Sequence, residues 1–182
     1  MKKIILVSAV LIAITISAFT LAAIWKADEK NSTVNFELPG SDKKGTFGNL
    51  TTTLNFDKKN LGESKITASI DVKSVKAGNE KLEAHLLTAD FFDAEKFPKI
   101  TFTSSEIKST DTGFLAKGTL TMKDSTKIIE LPFTFTEVDK NKATFSGTMT
   151  VNAADYGVMK KKPDSKPGSD KVLIYLVVPV TK

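Results

Sequence analysis

Apolar side chains recur at every second position through most of this chain, and that period constrains the fold more than any motif does. Val34, Phe36 and Leu38 alternate with Thr33, Asn35 and Glu37. Leu50, Thr52, Leu54 and Phe56 form the next series, and Ile66, Ala68, Ile70 and Val72 the third. Ile100 and Phe102 follow Pro98. Leu115, Thr119 and Thr121 interleave with Ala116, Gly118, Leu120 and Met122. Ile129, Leu131, Phe133 and Phe135 come next, then Ala143, Phe145, Gly147, Met149 and Val151, and finally Val172, Ile174, Leu176, Val178 and Val180. Period two places alternate side chains on opposite faces of a strand. One face is apolar, and the other is rich in threonine, lysine and serine. Threonine suits a strand because its branched Cβ fits the pleated surface. Polar segments with Asp, Asn, Gly or Pro separate the series at 57–64, 109–113, 138–142 and 160–171. About eight short strands at regular spacing predict an all-β barrel or sandwich.

One segment breaks the period. Residues 78–88, "GNEKLEAHLLT", predict a short helix between the third and fourth strands. Asn79 can accept from the free N–H groups of the first turn, and Glu80 and Glu83 sit at the positive end of the helix dipole. Leu82 and Leu86 share a face. The helix and the "DFFDAEKFP" that follows (90–98) are expected to pack over one barrel end. Phe91, Phe92 and Phe97 would line or close an interior cavity there, and Pro98 would launch the next strand.

The N-terminus reads differently. Two lysines, an uncharged run over 4–24 and small residues at Thr20 and Ala22 resemble a secretory signal, cut before Ala23. The run is also nearly long enough to be a retained anchor. The expected organisation is therefore an export segment over 1–22 and one β-domain over 23–182, with a periplasmic or secreted address. The chain has no cysteine, so neither a lipid-modified cysteine nor a disulfide is available, and the remaining ~160 residues must rest on a packed core.

The net charge is +5, two of it from Lys2 and Lys3, and every basic residue is lysine. Without arginine the chain lacks the planar fork that grips phosphates and guanine edges, so no nucleic-acid partner is expected. The loop over 160–171 carries lysines at 160, 161, 162, 166 and 171. It is read as a solvated loop, with contact to an anionic membrane surface as the alternative.

Catalytic chemistry finds little support. His85 is the only histidine, there is no cysteine, and no Gly-x-Ser-x-Gly elbow occurs. A single histidine cannot build a histidine-rich zinc site. His85 is expected to be structural, bonding to a strand backbone or loop. Asp90 and Asp93 are expected to cap turns rather than hold a cation. No catalytic residue, metal or cofactor is assigned.

Beyond the period, "WKADEKNSTVNF" (25–36), "GTFGNLTTTLNFD" (45–57), the 69–104 stretch with "HLLTADFFDAEKFPKITFTS", "KGTLTMKDSTKIIELPFTF" (117–135) and "ADYGV" (154–158) resemble the YceI family. The resemblance spans nearly all of the mature chain. It implies an eight-stranded antiparallel, lipocalin-like barrel. It also implies a non-enzymatic envelope carrier of a long isoprenoid, such as a polyprenyl phosphate or a prenylated quinone. The chain departs from the family pattern where it has Leu82 and Glu83 before the "HL" step, Ala153 before "ADYG", and Asp124 and Ile128 in the "GVTKPV" turn. Two arginines are thus absent, which leaves Glu83 to lysine or water.

Small residues in the strand series (Ala68, Gly118, Ala143, Gly147) leave room inside a barrel that can otherwise just fill itself. Apolar room selects a hydrocarbon chain. The expected lining comprises Phe36, Leu54, Phe56, Ile70 and Phe102 from the first strands, with Phe91, Phe92 and Phe97 from the cap. Leu120, Phe133, Phe145, Met149, Tyr156 and Ile174 complete it. A fatty acid or fatty amide, or a filled-core interaction protein of the envelope stress response, remain the alternatives, and a homodimer stays open.

Overall fold

The structure is a computed structural model that describes residues 24–159 and 170–182. The segment over 1–22 expected to direct export, and most of the lysine-rich loop (160–169), lie outside the described residues. The described residues form ten strands: β1 (Ile24–Ala27), β2 (Thr33–Glu37), β3 (Lys44–Phe47), β4 (Thr51–Asn55), β5 (Lys65–Asp71), β6 (Lys99–Thr110), β7 (Gly113–Met122), β8 (Ser125–Asp139), β9 (Lys142–Asn152) and β10 (Lys171–Thr181). Among the described residues one α-helix, α1 (Glu80–Leu86), lies between β5 and β6.

Every neighbouring pair is antiparallel, in the order β1-β4-β5-β6-β7-β8-β9-β10, and β1 closes the ring on β10 through Lys26↔Thr181 and Ala27↔Val180. The ten segments occupy eight positions in the wall. β1 and β2 run one after the other along β10, and β4 and β3 pair with them in turn. The fold is therefore the expected eight-stranded antiparallel barrel, with its first two staves each broken once. The break between β1 and β2 has a local cause. Asp28 accepts from the backbone and side chain of Asn31 at 3.2 and 2.7 Å, which turns the chain outward. Pro179 of β10 falls opposite this turn, where a residue without an N–H costs the ladder least.

The helix begins where its cap predicts. The Asn79 side chain accepts from the Leu82 N–H at 3.1 Å. It ends by Leu87, and the chain then turns twice before β6. Asp93 adopts φ +51, and the Phe97 N–H donates to the Asp93 carbonyl at 2.8 Å. The cap is tied to the barrel by a backbone exchange between Thr46 and Lys76, 2.8 Å in each direction.

The two barrel ends differ. At the end away from α1, Phe56 is 1 % exposed and touches four rings, those of Phe114, Phe133, Phe135 and Phe145, at centroid distances of 4.9 to 5.6 Å. Trp25 packs edge-on against Phe135 and donates its indole N–H to the Phe56 carbonyl at 3.0 Å. This aromatic cluster is a solid floor.

The wall also opens between β8 and β9. The β8–β9 ladder runs from Asp139↔Lys142 only as far as Phe133↔Gly147. Beyond that fork, residues 125–132 of β8 stay with β7, and residues 148–152 of β9 stay with β10. Among the described residues, no ladder joins the two diverging arms. A 3-10 turn at Ala153–Tyr156 follows the β9 arm, with Tyr156 2 % exposed.

Candidate functional site

Between the aromatic floor and the helical cap the barrel encloses a cavity of about 390 Å³. Its wall comes from alternate positions of the strands, as a pleated barrel requires. Phe36 on β2, Leu54 on β4 and Ile70 on β5 face it, as do Phe102 on β6 and Leu120 on β7. Phe133 on β8, Phe145 and Met149 on β9 and Ile174 on β10 complete the ring. From the cap, Phe91 and Phe92 point in, and the Phe92 ring meets Phe47 edge-on at 5.6 Å. Eleven of the fourteen residues expected from the sequence are therefore brought together around one space.

Three are not. Phe56 lies beneath the cavity, sealed off from it by Phe133 and Phe145. Phe97 is turned away by the tight turn after Asp93. That turn buries Ala94 instead, to 1 % exposure, and leaves Lys96 Nζ over the Phe97 ring at 5.0 Å. Tyr156 is buried in the 3-10 turn after β9 rather than in the cavity wall. Its burial, with Asp155 nearby, pushes its hydroxyl pKa up.

The small residues divide in the same way. Ala68 and Gly147 border the cavity. Gly118 leaves no room, because the Phe102 ring and the Thr103 carbonyl already occupy the place of a Cβ. Ala143 packs in the core at 3 % exposure, outside the cavity lining.

Several lining residues escaped the sequence reading. Leu82 and Leu86 are the apolar face of α1, so the helix period that located the helix also marked its inward side. Val34, Ile66, Leu131 and Val172 belong to strand series already recognised, and the parity of Phe36, Ile70, Phe133 and Ile174 would have included them. Leu50 shares the parity of Leu54 in its own series, whereas Phe47, Val158 and Met159 lie in short or irregular segments that carry no period.

Polar groups are few and lie toward the capped end. Lys43 and Lys44, at the β2–β3 hairpin, border the cavity and are exposed. His85 also borders it, and its ring packs edge-on against Phe91 at 4.8 Å. Among the described residues the imidazole makes no hydrogen bond, so the expected tie to a strand or loop is replaced by a ring contact. Glu83 is occupied elsewhere. It accepts from the Ala77 N–H at 2.9 Å and pairs with Lys76 at 3.0 Å, which hold its carboxyl below the ordinary value of 4.5.

A closed antiparallel barrel with an apolar interior, a solid floor and a helical cap defines the lipocalin-like class of barrels. A YceI-like domain profile matches residues 25–180, and the chain belongs to the YceI family. UPF0312 proteins of Vibrio cholerae and Vibrio parahaemolyticus are each 28% identical over 169 residues, covering 87% of this chain and 89% of theirs. The crystal structure of Burkholderia cenocepacia BcnA superposes with a TM-score of 0.77 at 23% identity, over 86% of this chain and 100% of that one. The Campylobacter jejuni YCEI protein gives 0.68 at 26% identity, over 80% and 88%. A polyisoprenoid-binding domain from Saccharophagus degradans, implicated in plant cell wall breakdown, gives 0.62 at 14% identity, over 88% and 98%.

Proposed function

We propose that this protein is a non-enzymatic binder of a long, amphiphilic isoprenoid, held with its tail in the barrel and its head at the capped end. The cavity carries the reading: it is about 390 Å³ in volume, and hydrocarbon side chains furnish nearly all of its wall. A space with that lining has nothing to offer a sugar, a nucleotide or a peptide backbone, whose polar groups would go unpaired. For a hydrocarbon, each buried CH₂ contributes ~0.8 kcal/mol, so a tail binds through its length alone. The YceI family and the polyisoprenoid-binding neighbour from Saccharophagus degradans support an isoprenoid as the tail. Lys43 and Lys44 at the rim favour an anionic head such as a phosphate over a neutral quinone. The signal-like residues 1–22 support an envelope address, where such lipids meet water.

The cavity argues against a filled-core interaction protein, and His85 beside an aromatic ring argues against a catalytic base. A fatty-acid tail would satisfy the same walls. Native mass spectrometry of the purified protein, followed by organic extraction, separates the cases. An isoprenoid phosphate is the expected guest. Recovery of straight-chain acyl lipids only, or a protein that never carries lipid, would overturn the reading.

A further inference from the structure

The fork between β8 and β9 has a use that a sealed wall would not offer. We infer that it is the site through which a slender apolar chain passes into the cavity, sideways through the barrel wall, an inference that rests on the binding function just proposed. Three observations carry it.

The first is hydrogen bonding. Where a ladder joins neighbouring staves, parting them breaks several backbone bonds together; the outer edge of β3 has no such ladder, but the Thr46↔Lys76 bridge holds it. Beyond Phe133↔Gly147, the described residues of the two arms share none, so parting 125–132 from 148–152 breaks no ladder bond. The arms are held instead by the 3-10 turn packed on β8 and by Lys123 Nζ, which donates to the Gly157 carbonyl at 3.0 Å. The helical cap is the competing route, and it is tied down. Thr46 and Lys76 exchange two backbone bonds, Ser74 Oγ donates to the Gly48 carbonyl at 2.8 Å, and Lys123 Nζ donates to the Ala89 carbonyl at 3.2 Å.

The second is wall thickness. A shallow groove lies on the outer surface at the fork, and Phe133, Gly147 and Leu176 border both this groove and the inner cavity. At Gly147 the wall has no side chain of its own, and Leu131 of the β8 arm covers that point. A Cβ there would come within 3.1 Å of Leu131 Cδ1 and of the Pro132 carbonyl, inside the fork itself.

The third is the chemistry of the approach. Leu115 and Pro132 flank the groove on one side, and Tyr175 and Val177 on the other, with threonine and serine hydroxyls between them. Val177 is 40 % exposed, and Ile128 on the outer face of the same β8 arm is 70 % exposed. Apolar residues outside, a wall point at Gly147 covered by the Leu131 side chain alone and an apolar cavity inside set out a route that a hydrocarbon can take when Leu131 moves. A tail moving sideways along it leaves its polar head in water throughout.

The chain's lack of cysteine makes a staple across the fork clean to install. Glu130 and Thr150 lie outside the cavity lining, on the β8 and β9 arms, at positions that continue the Phe133↔Gly147 register. The double variant Glu130→Cys, Thr150→Cys would be joined by a bis-maleimide with a reducible centre. Uptake of anthraniloyl-geranylgeraniol would then be followed by stopped-flow fluorescence. The stapled protein is expected to load at least tenfold more slowly than the unstapled variant, to reach the same final occupancy, and to recover its rate on reduction. Circular dichroism before and after reduction guards against misfolding. Equal rates with normal occupancy would overturn the fork and place the passage at the cap. Failure of the parent protein to take up any probe would overturn the binding function, and the fork with it.

Discussion

Glu83 and Lys76 form the lock of the barrel's cap. The Lys76 ammonium lies 3.0 Å from the Glu83 carboxylate, and the backbone of the same lysine pairs with Thr46 on β3. One residue therefore ties the helix to the wall through its side chain and its main chain together. The other Glu83 oxygen accepts from the Ala77 N–H at 2.9 Å. That backbone bond is the largest cause of the depressed Glu83 pKa, with Lys76 second. A carboxylate with a depressed folded value stabilises the native state above its unfolded value and loses that contribution as pH falls through the folded one. The contribution should be whole above the ordinary 4.5 and decline below it. Glu83→Gln should therefore melt at a lower temperature than the parent at pH 7, with the gap closing as the pH drops below 4.5. Thermal melts at several pH values test this, and a gap that stays constant would show that the charge is not the cause.

The floor should set the length of chain that fits. Phe56 is nearly inaccessible and holds four aromatic rings in place, two of which, Phe133 and Phe145, form the bottom of the cavity. Phe56→Ala should cost about 3–5 kcal/mol, the usual loss for a fully buried phenylalanine. If the vacated space joins the cavity, the variant should also retain longer tails. Denaturant titration reads the first effect and extraction with mass spectrometry the second. Unchanged stability would mean that the cluster repacks around the loss.

Phe92 tests the cap from inside. Its ring faces the cavity and leans on Phe47, so a charge placed there would sit among hydrocarbons. Phe92→Asp should abolish lipid retention, because a buried unpaired carboxylate is prohibitively costly and water must follow it in. Phe92→Leu, which keeps the apolar lining, should still load. Equal lipid content in Phe92→Asp and parent would remove the cap from the binding site.

The architecture was largely legible in the sequence because period two is a property of each strand alone. The eight apolar series predict eight staves, and eight wall positions exist. β1 and β3 escaped notice because four residues carry too few alternations to register, and β3 contains Gly45. Within the cap, period offers no help. Phe91, Phe92 and Phe97 look alike in sequence, and only the turn opened by Asp93 at φ +51 decides that two face inward and one outward. The fork was invisible for a different reason. β8 alternates without interruption from Ile129 to Phe135, and nothing in its residues shows that its neighbour leaves it at Phe133.

Gly118 illustrates how a small residue can mislead. It faces inward, yet a Cβ there would collide with the Thr103 carbonyl and lie 2.8 Å from the Phe102 ring. The neighbouring β6–β7 register slips between Ser104 and Glu106, which brings the two backbones close at this point. Gly118→Ala should therefore cost about 1–3 kcal/mol through overpacking. It should also push the Phe102 ring toward the lumen and reduce lipid uptake. A stability equal to the parent in urea titration would show that the strands separate to admit the methyl group.

The rim lysines offer the sharpest separation of head groups. Lys43 and Lys44 are exposed at the capped end, so any attraction they exert acts through water and is screened by salt. Exposed charge pairs are worth about 0.2–1 kcal/mol each, so replacing both lysines by glutamine should weaken a prenyl phosphate by no more than about thirtyfold. The same variant should bind a prenyl alcohol as the parent does, because the tail and its cavity are untouched. Raising the salt concentration should weaken the phosphate for the parent and not for the variant. Titration of both ligands at two ionic strengths measures all of this. A phosphate affinity that ignores both the substitution and the salt would mean that the head group is recognised elsewhere on the rim or not at all, and would return a neutral quinone to first place.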